Sequence, residues 1–309
     1  MSADGSRAVG SGGAGGTGGV GSGGVGGSGG VGAVDAAGGV GGAGGVGAVV
    51  GRGRRFRGAS VVVAPVLFGI AVLVLWQLVV TVGGLPAFLL PAPTAIAEQI
   101  GAQLPVILQT TAVTGGNALV GLVLGFVLGV LLAILAAGVR VVSDLITPVV
   151  LAASAIPIVA LAPVFTTMFG STTEIPRRLV VTVVVVVPVF VSTARGLRQV
   201  RPVHDELMVA LAATRRQYTR FVRLPGAIPY VMTGLRLAAP AAVIAAIVAE
   251  YFGGLQNGLG SRISSAAANT AYARAWAFVA ASIVLGLLFF LAGLLAERLV
   301  TRNRPGGAS

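Results

Sequence analysis

Apolar residues come in long runs along this chain, not in the short alternations of a soluble fold. From Ser60 onward, six such stretches, about 60–82, 108–138, 145–169, 178–196, 229–252 and 275–297, are separated by short polar connections. A helix needs about 20 residues to cross the hydrocarbon core of a bilayer. The pattern therefore predicts an all-α membrane bundle of six transmembrane helices. Val183–Val187 is a β-branched run that would favour strand in water, but an open strand in lipid leaves backbone groups unpaired, so helix is expected. Pro148, Pro157 and Pro163 predict a kinked or broken third span. Gly115, Gly116, Gly121, Gly125 and Gly129 in the second span point to close helix packing. Residues 1–58 have a different character: 26 of the 48 glycines fall there, in Gly-Gly-Val and Gly-Gly-Ser repeats. So little apolar surface set against so much backbone entropy predicts a flexible tail. A short cytoplasmic tail, 301–309, is expected at the other terminus.

Composition sharpens this picture. Of the 309 residues, 55% are hydrophobic and only 10% charged, against roughly a quarter charged in a soluble domain. All 21 basic residues are Arg, Cys is absent, and His204 is the sole histidine. These absences remove disulfides, a Cys nucleophile, a Lys Schiff base and a Cys/His zinc site. A phosphate-binding loop of the Walker A type needs a Lys, so ATP, if used, is bound by another subunit. No cofactor, metal site or enzymatic activity is expected of this chain.

The net charge of +12 would suggest nucleic acid in a soluble protein. Here the arginines sort by side. With the N-terminus inside, 15 fall on cytoplasmic connections and 4 outside, which predicts N-in, C-in topology and no nucleic-acid partner. Trp76 and Trp276 read equally as interfacial anchors or packing residues.

Two charges fall within the fifth span, where a charge is expensive and faces a bundle interior or water. Arg236 and Glu250 are 14 residues apart, about 21 Å on a helix, too far to pair. Arg236 is expected to snorkel or face an inner vestibule. Glu250 either shapes a pathway or holds the segment 253–260. Ser154, Pro157 and Thr166 on the third span are further pathway candidates, with bonding between helices the plainer role for the hydroxyls. Apolarity alone also fits an ion-gradient-driven transporter or a membrane scaffold. The former predicts more intramembrane acids and an inverted repeat.

The longest cytoplasmic connection runs from about Arg195 to Arg223. Pro202, Asp205 and Glu206 read as a helix start. Leu207, Leu211, Tyr218, Phe221 and Val222 supply apolar positions, and Arg215, Arg216, Arg220 and Arg223 follow. A short amphipathic helix pair is expected, with Pro225 and Pro229 breaking the chain before the fifth span.

This connection resembles the EAA loop of permease subunits of binding-protein-dependent ABC importers. That pattern is Glu-Ala-Ala, three residues, Gly, nine residues, Ile, one residue, Leu-Pro. Glu206, Leu224 and Pro225 match it, and Val222 stands at the Ile position. Leu207 and Met208 replace the alanines, and Ala212 replaces the Gly. Leu89–Pro93, Ile156-Pro157, Leu161–Pro163, Gly234–Arg236, Ala249-Glu250 and Gly258–Gly260 are similar to the nitrate/sulfonate/taurine branch, which also includes permeases for pyrimidine precursors. The likeness fails at Thr110–Asn117, where that branch shows Ser and Arg. It implies the MetI-like fold in a bacterial inner membrane and two permease subunits, here expected to be identical copies. It also implies an extracytoplasmic solute-binding protein and an ABC ATPase. Glu206 would orient the coupling helix, Leu211, Ala212 and Ala213 would enter a groove of the ATPase, and Leu224-Pro225 would turn the chain.

Overall fold

The computed structural model describes residues 57–138 and 140–302. The expected glycine-rich tail lies, apart from residues 57 and 58, outside the described residues, as do 303–309. The described chain is helical throughout: α1 Arg57–Val82, α2 Pro93–Ala102, α3 Leu104–Gly138, α4 Arg140–Ala153, α5 Ile158–Phe169, α6 Ile175–Arg198, α7 Pro202–Ala210, α8 Arg215–Tyr218, α9 Leu224–Tyr251, α10 Leu259–Ala268 and α11 Tyr272–Thr301. Among the described residues there is no strand, and the valine run of α6 is helical, as bilayer physics requires.

Five helical segments are long and apolar enough to cross a membrane. The sixth expected span is divided. α4 and α5 meet at 99°, and between them Pro157, lacking an N–H, sits in extended geometry as the residue that begins α5. The pair still makes one passage. At one end Arg198 Nη2 donates to Ser143 Oγ at 3.0 Å, placing the start of α4 beside the end of α6. At the other end the Ser171 carbonyl approaches Gly254, in the segment that the start of α6 grips. Counted this way the bundle has six passages, with both ends of the described chain on the Arg-rich side.

Small residues set the helix spacing. Lipid tails are as apolar as Leu, so membrane helices associate by close packing instead of by escape from water. α3 lays Gly121, Gly125 and Gly129 against Val181, Val185 and Val189 of α6. A Cβ on Gly125 would stand 2.7 Å from the Thr182 carbonyl oxygen. Of the other glycines in that run, Gly115 packs on Leu285, and Gly116 faces open space. α9 carries buried Ala238, Ala239, Ala242, Ala245, Ala246 and Ala249. It packs on α6 at Gly234 and on α11 at Gly293, where a Cβ would meet the Arg236 Cα at 3.1 Å. Trp76 and Trp276 pack edge-to-face with ring centroids 5.6 Å apart, joining α1 to α11.

Pro225 and Pro229 do not break the chain. Helix runs from Arg215 to Tyr251, with residues 219–223 wound as a single π-helical turn. The wider turn accommodates the ring of Pro225 and its missing N–H, so α8 passes into α9 where a break was expected.

Candidate functional site

Two regions gather the polar and exposed side chains. The first is the α6–α9 connection at the Arg-rich end. α7 begins with Pro202 in its first turn and Asp205 near its positive pole. The hydroxyl of Tyr218 donates to Asp205 Oδ1, tying α8 to α7. Asp205, not Glu206, makes this tie, and Glu206 stands exposed.

α7 stops in a Schellman turn: Ala213 N–H donates to Met208 O and Ala212 N–H to Val209 O, each at 3.0 Å. The turn puts Ala212 at φ +49°, a conformation that favours glycine. The EAA pattern has Gly at this position, and the geometry supplies the reason. α8 starts with a reciprocal cap. Gln217 N–H donates to Thr214 Oγ1 at 3.4 Å, and Thr214 N–H to Gln217 Oε1 at 2.8 Å. The unit so held presents apolar side chains outward: Leu207, Val209 (81% exposed) and Leu211 (64%). Met208, Ala213 and Val222 are half-buried, and Leu224 and Pro225 form the exposed first turn of α9.

The second region lies at the opposite end and is buried. Glu250, near the C-terminus of α9, is fully enclosed. Its Oε2 accepts from Thr114 Oγ1 at 2.8 Å and from the Gly260 N–H at 3.1 Å, and Thr114 accepts from the Leu259 N–H at 2.9 Å. Arg177 of α6, 2% exposed, reaches across with Nη1 4.0 Å from Glu250 Oε1. The same Nη1 donates to Asn257 Oδ1 at 2.7 Å and to Glu174 Oε2 at 3.0 Å, while Nη2 donates to the Leu255 carbonyl. Asn117 and Asn257 both donate to Glu174 at 2.8 Å, and Arg178 Nε donates to Asn117 Oδ1 at 3.1 Å.

Partial burial pushes the Glu174 carboxyl up. The hydrogen bond from Asn257, the Arg177 charge and the bond from Asn117 outweigh it and hold the group below the ordinary carboxylate range. A Cβ on Gly258 would strike the Glu250 carboxylate, and one on Gly260 the Ile247 carbonyl. The two glycines are there because the loop must approach so closely. Glu250 therefore holds the 253–260 segment.

The remaining candidates stand apart from both regions. Arg236 pairs with Glu297 of α11 at 3.1 Å, and Thr233 Oγ1 donates to the other oxygen of Glu297 at 2.8 Å. An ion pair, not snorkelling alone, accommodates this charge. Ser154 donates to Leu151 O at 2.6 Å and Thr166 to Ala162 O at 2.7 Å. Both hydroxyls bond back to carbonyls of their own chain segment, correcting the expected bond between helices. Pro157 sits at the bend. In the sequence Arg177 and Arg178 read as two of the four outside charges, and no motif singles out Glu174, Asn257 or Glu297. Asn117, a lone amide in an uncharged apolar run, was the available signal. The segment where the family likeness fails is the one that contributes Thr114 and Asn117.

A family profile described as a binding-protein-dependent transport system inner membrane component matches residues 125–305. The chain belongs to that family. It is a multi-pass permease subunit of an ATP-driven, binding-protein-dependent importer, a class in which the ATPase is a separate subunit. Among similar proteins, the riboflavin transport system permease RibX of Chloroflexus aurantiacus is 33% identical over 232 residues, 74% of this chain and 86% of its own length. The formylaminopyrimidine transport permease ThiX of Halalkalibacterium halodurans is 34% identical over 191 residues, covering 61% and 75%. The taurine permease TauC of Escherichia coli is 31% identical over 96 residues, 31% of this chain and 34% of its own. In fold, the chain resembles the permease chain of the MetNI methionine ABC transporter in an inward-facing conformation. The TM-score is 0.53 at 21% identity, over 65% of this chain and 99% of that one. An amino acid ABC transporter gives 0.55 at 15% identity, over 64% and 96%.

Proposed function

We propose that the α7–α8 unit is the coupling element that seats in the ATPase, in a bacterial inner membrane with the Arg-rich end cytoplasmic. The observation that carries this reading is the outward display of Leu207, Val209 and Leu211 at the end of a short helix closed by a Schellman turn and followed directly by the capped start of α8. Apolar side chains held rigidly at the aqueous end of a membrane bundle are stable when a partner covers them. Leu211, Ala212 and Ala213 enter the partner's groove, and Glu206 borders it. The rigid π-turn junction into α9 passes movement of this unit directly to the span that carries Arg236 and Glu250.

In the same reading the solute is a planar nitrogen heterocycle of the pyrimidine-precursor kind. The relatives named for riboflavin and formylaminopyrimidine transport align over 74% and 61% of this chain, and the taurine permease over 31%. An external binding protein delivers the solute, and two copies of this chain form the pathway, with Ser154, Pro157 and Thr166 on its bent span.

The test is co-purification in mild detergent with the ATPase encoded beside it. Wild type retains the ATPase, and Val209→Arg/Leu211→Arg loses it while eluting as a monodisperse permease. Retention by the variant sinks the coupling assignment. Binding of the partner solute-binding protein to a pyrimidine, with none to taurine, supports the solute class, and the reverse overturns it.

A further inference from the structure

Two cavities meet at Arg198, on the Arg-rich end of α6. One, of about 490 Å³, lies where α3 and α6 end and α4 and α8 begin, beside the π-helical turn that leads into α9. Its polar wall is Ser143, Asp144, Arg198, Arg215 and Arg223. The other, of about 470 Å³, runs along the face between α4 and α6. Leu151, Phe190, Val191 and Ala194 give it an apolar lining, and Arg195 and Arg198 stand at its polar end.

Three guanidinium groups face one carboxylate in the first cavity, an excess of two positive charges. Among the described residues none of the three forms an ion pair. Arg198 donates to the neutral Ser143 hydroxyl, and Arg223 lies over the Tyr218 ring at 4.8 Å with its Nε buried and without a hydrogen-bond partner. Guanidinium forks are matched to phosphate oxygens.

We infer that this double cavity holds one anionic phospholipid of the leaflet at the Arg-rich end. Its phosphate sits among Arg198, Arg215 and Arg223, and an acyl chain lies in the α4–α6 groove. The depth selects the occupant, because the guanidinium cavity lies at the level where the spans end. That level belongs to headgroups, and the groove continues from it toward the hydrocarbon. The charge selects the headgroup, because an excess of two positive charges favours phosphatidylglycerol over zwitterionic phosphatidylethanolamine. Arg215 and Arg223 flank the α8–α9 junction, so an occupied cavity ties the coupling unit to the bundle. That consequence rests on the coupling role proposed above; the lipid site itself does not.

The test is native mass spectrometry of the full chain, delipidated and titrated with phosphatidylglycerol or phosphatidylethanolamine of matched acyl chains. Wild type is expected to retain one phosphatidylglycerol at least tenfold better than phosphatidylethanolamine. Arg198→Gln/Arg215→Gln/Arg223→Gln loses that preference, by roughly fivefold per guanidinium removed. The exposed single variant Arg215→Gln, which disturbs no packing, gives one such step. Ala194→Trp fills the groove, keeps all three charges and also loses the lipid. Equal retention of both lipids by wild type, or retention unchanged in Arg215→Gln and Ala194→Trp, overturns the inference. So does unchanged retention accompanied by lost solute uptake, which assigns the cavity to the transport pathway. Loss of ATPase co-purification in Val209→Arg/Leu211→Arg with lipid retention intact separates the two proposals.

Discussion

Replacing Arg177 with Met removes the centre of the buried polar cluster and leaves its surroundings in place. The side chain is 2% exposed and bonds to Glu174, Asn257 and the Leu255 carbonyl, with Glu250 4.0 Å away. Met fills much of the same volume, so the loss is electrostatic. Glu250 keeps its bonds from Thr114 and Gly260 but loses its counter-charge inside the protein. Removing one partner of a buried pair costs about 3–5 kcal/mol, because the other charge stays uncompensated. A folded unit of this size shifts its Tm by about 2–4 °C per kcal/mol. The expected drop is therefore about 6–20 °C, read by tryptophan fluorescence on heating the detergent-solubilised chain. Hydrogen exchange should rise in the 253–260 segment and α10, and not in α7–α8. Arg177→Lys keeps the charge but loses the planar fork, and should fall by about 1.5–3 kcal/mol, the range for one charged hydrogen bond. A drop below 2 °C for Arg177→Met, or exchange rising first at α7–α8, would refute the assignment of this cluster as the clamp on the loop.

Other expectations follow from single geometries. Glu174 has a carboxyl held below its ordinary value of 4.5, so its stabilisation is fully present above that pH and is lost as pH falls through the lower folded value. Amide protection in the 253–260 segment, taken relative to the intrinsic exchange rate at each pH, should stay constant from pH 7 down to about 5 and fall below, and Glu174→Gln should abolish that acid-side loss. Ala212→Gly relieves a left-handed alanine and should stabilise by about 1 kcal/mol in thermal melts without loss of ATPase co-purification; a destabilised variant contradicts the turn geometry. Gly125→Leu would push a side chain into the Thr182 carbonyl and Val185, costing about 1–3 kcal/mol or more, whereas Gly116→Leu, which meets open space, should leave the melt unchanged. Arg236 and Glu297, partly exposed, should show a coupling of only about 0.5–1 kcal/mol in a double-mutant cycle.

Hydropathy is a local property, and the sequence alone determined what depends on it: an all-helical membrane bundle, six passages, and the side on which arginines gather. Val183–Val187 is helical because no strand can satisfy its backbone in lipid, a rule that needs no tertiary information. The glycine stripe of α3 was legible as close packing because small residues at a spacing of four have few other uses in a membrane. The EAA spacing was legible too, and Ala212 shows what the pattern's glycine is for once the turn is seen.

Tertiary structure decided the partners. Arg177 reads in sequence as one more charge at a span end, yet it lies at the centre of a cluster drawn from α3, α6, α9 and the loop before α10. Its partners lie between 3 and 80 residues from it, and no periodicity reports them. Arg236 could be called expensive from sequence, but its partner Glu297 lies on another helix. The run through Pro225 depended on a π-helical turn that proline rules alone do not foresee. The physical reason is the same each time. Lipid selects segments by average apolarity, read one residue at a time. A buried charge is satisfied only by specific atoms, and folding alone brings those within reach.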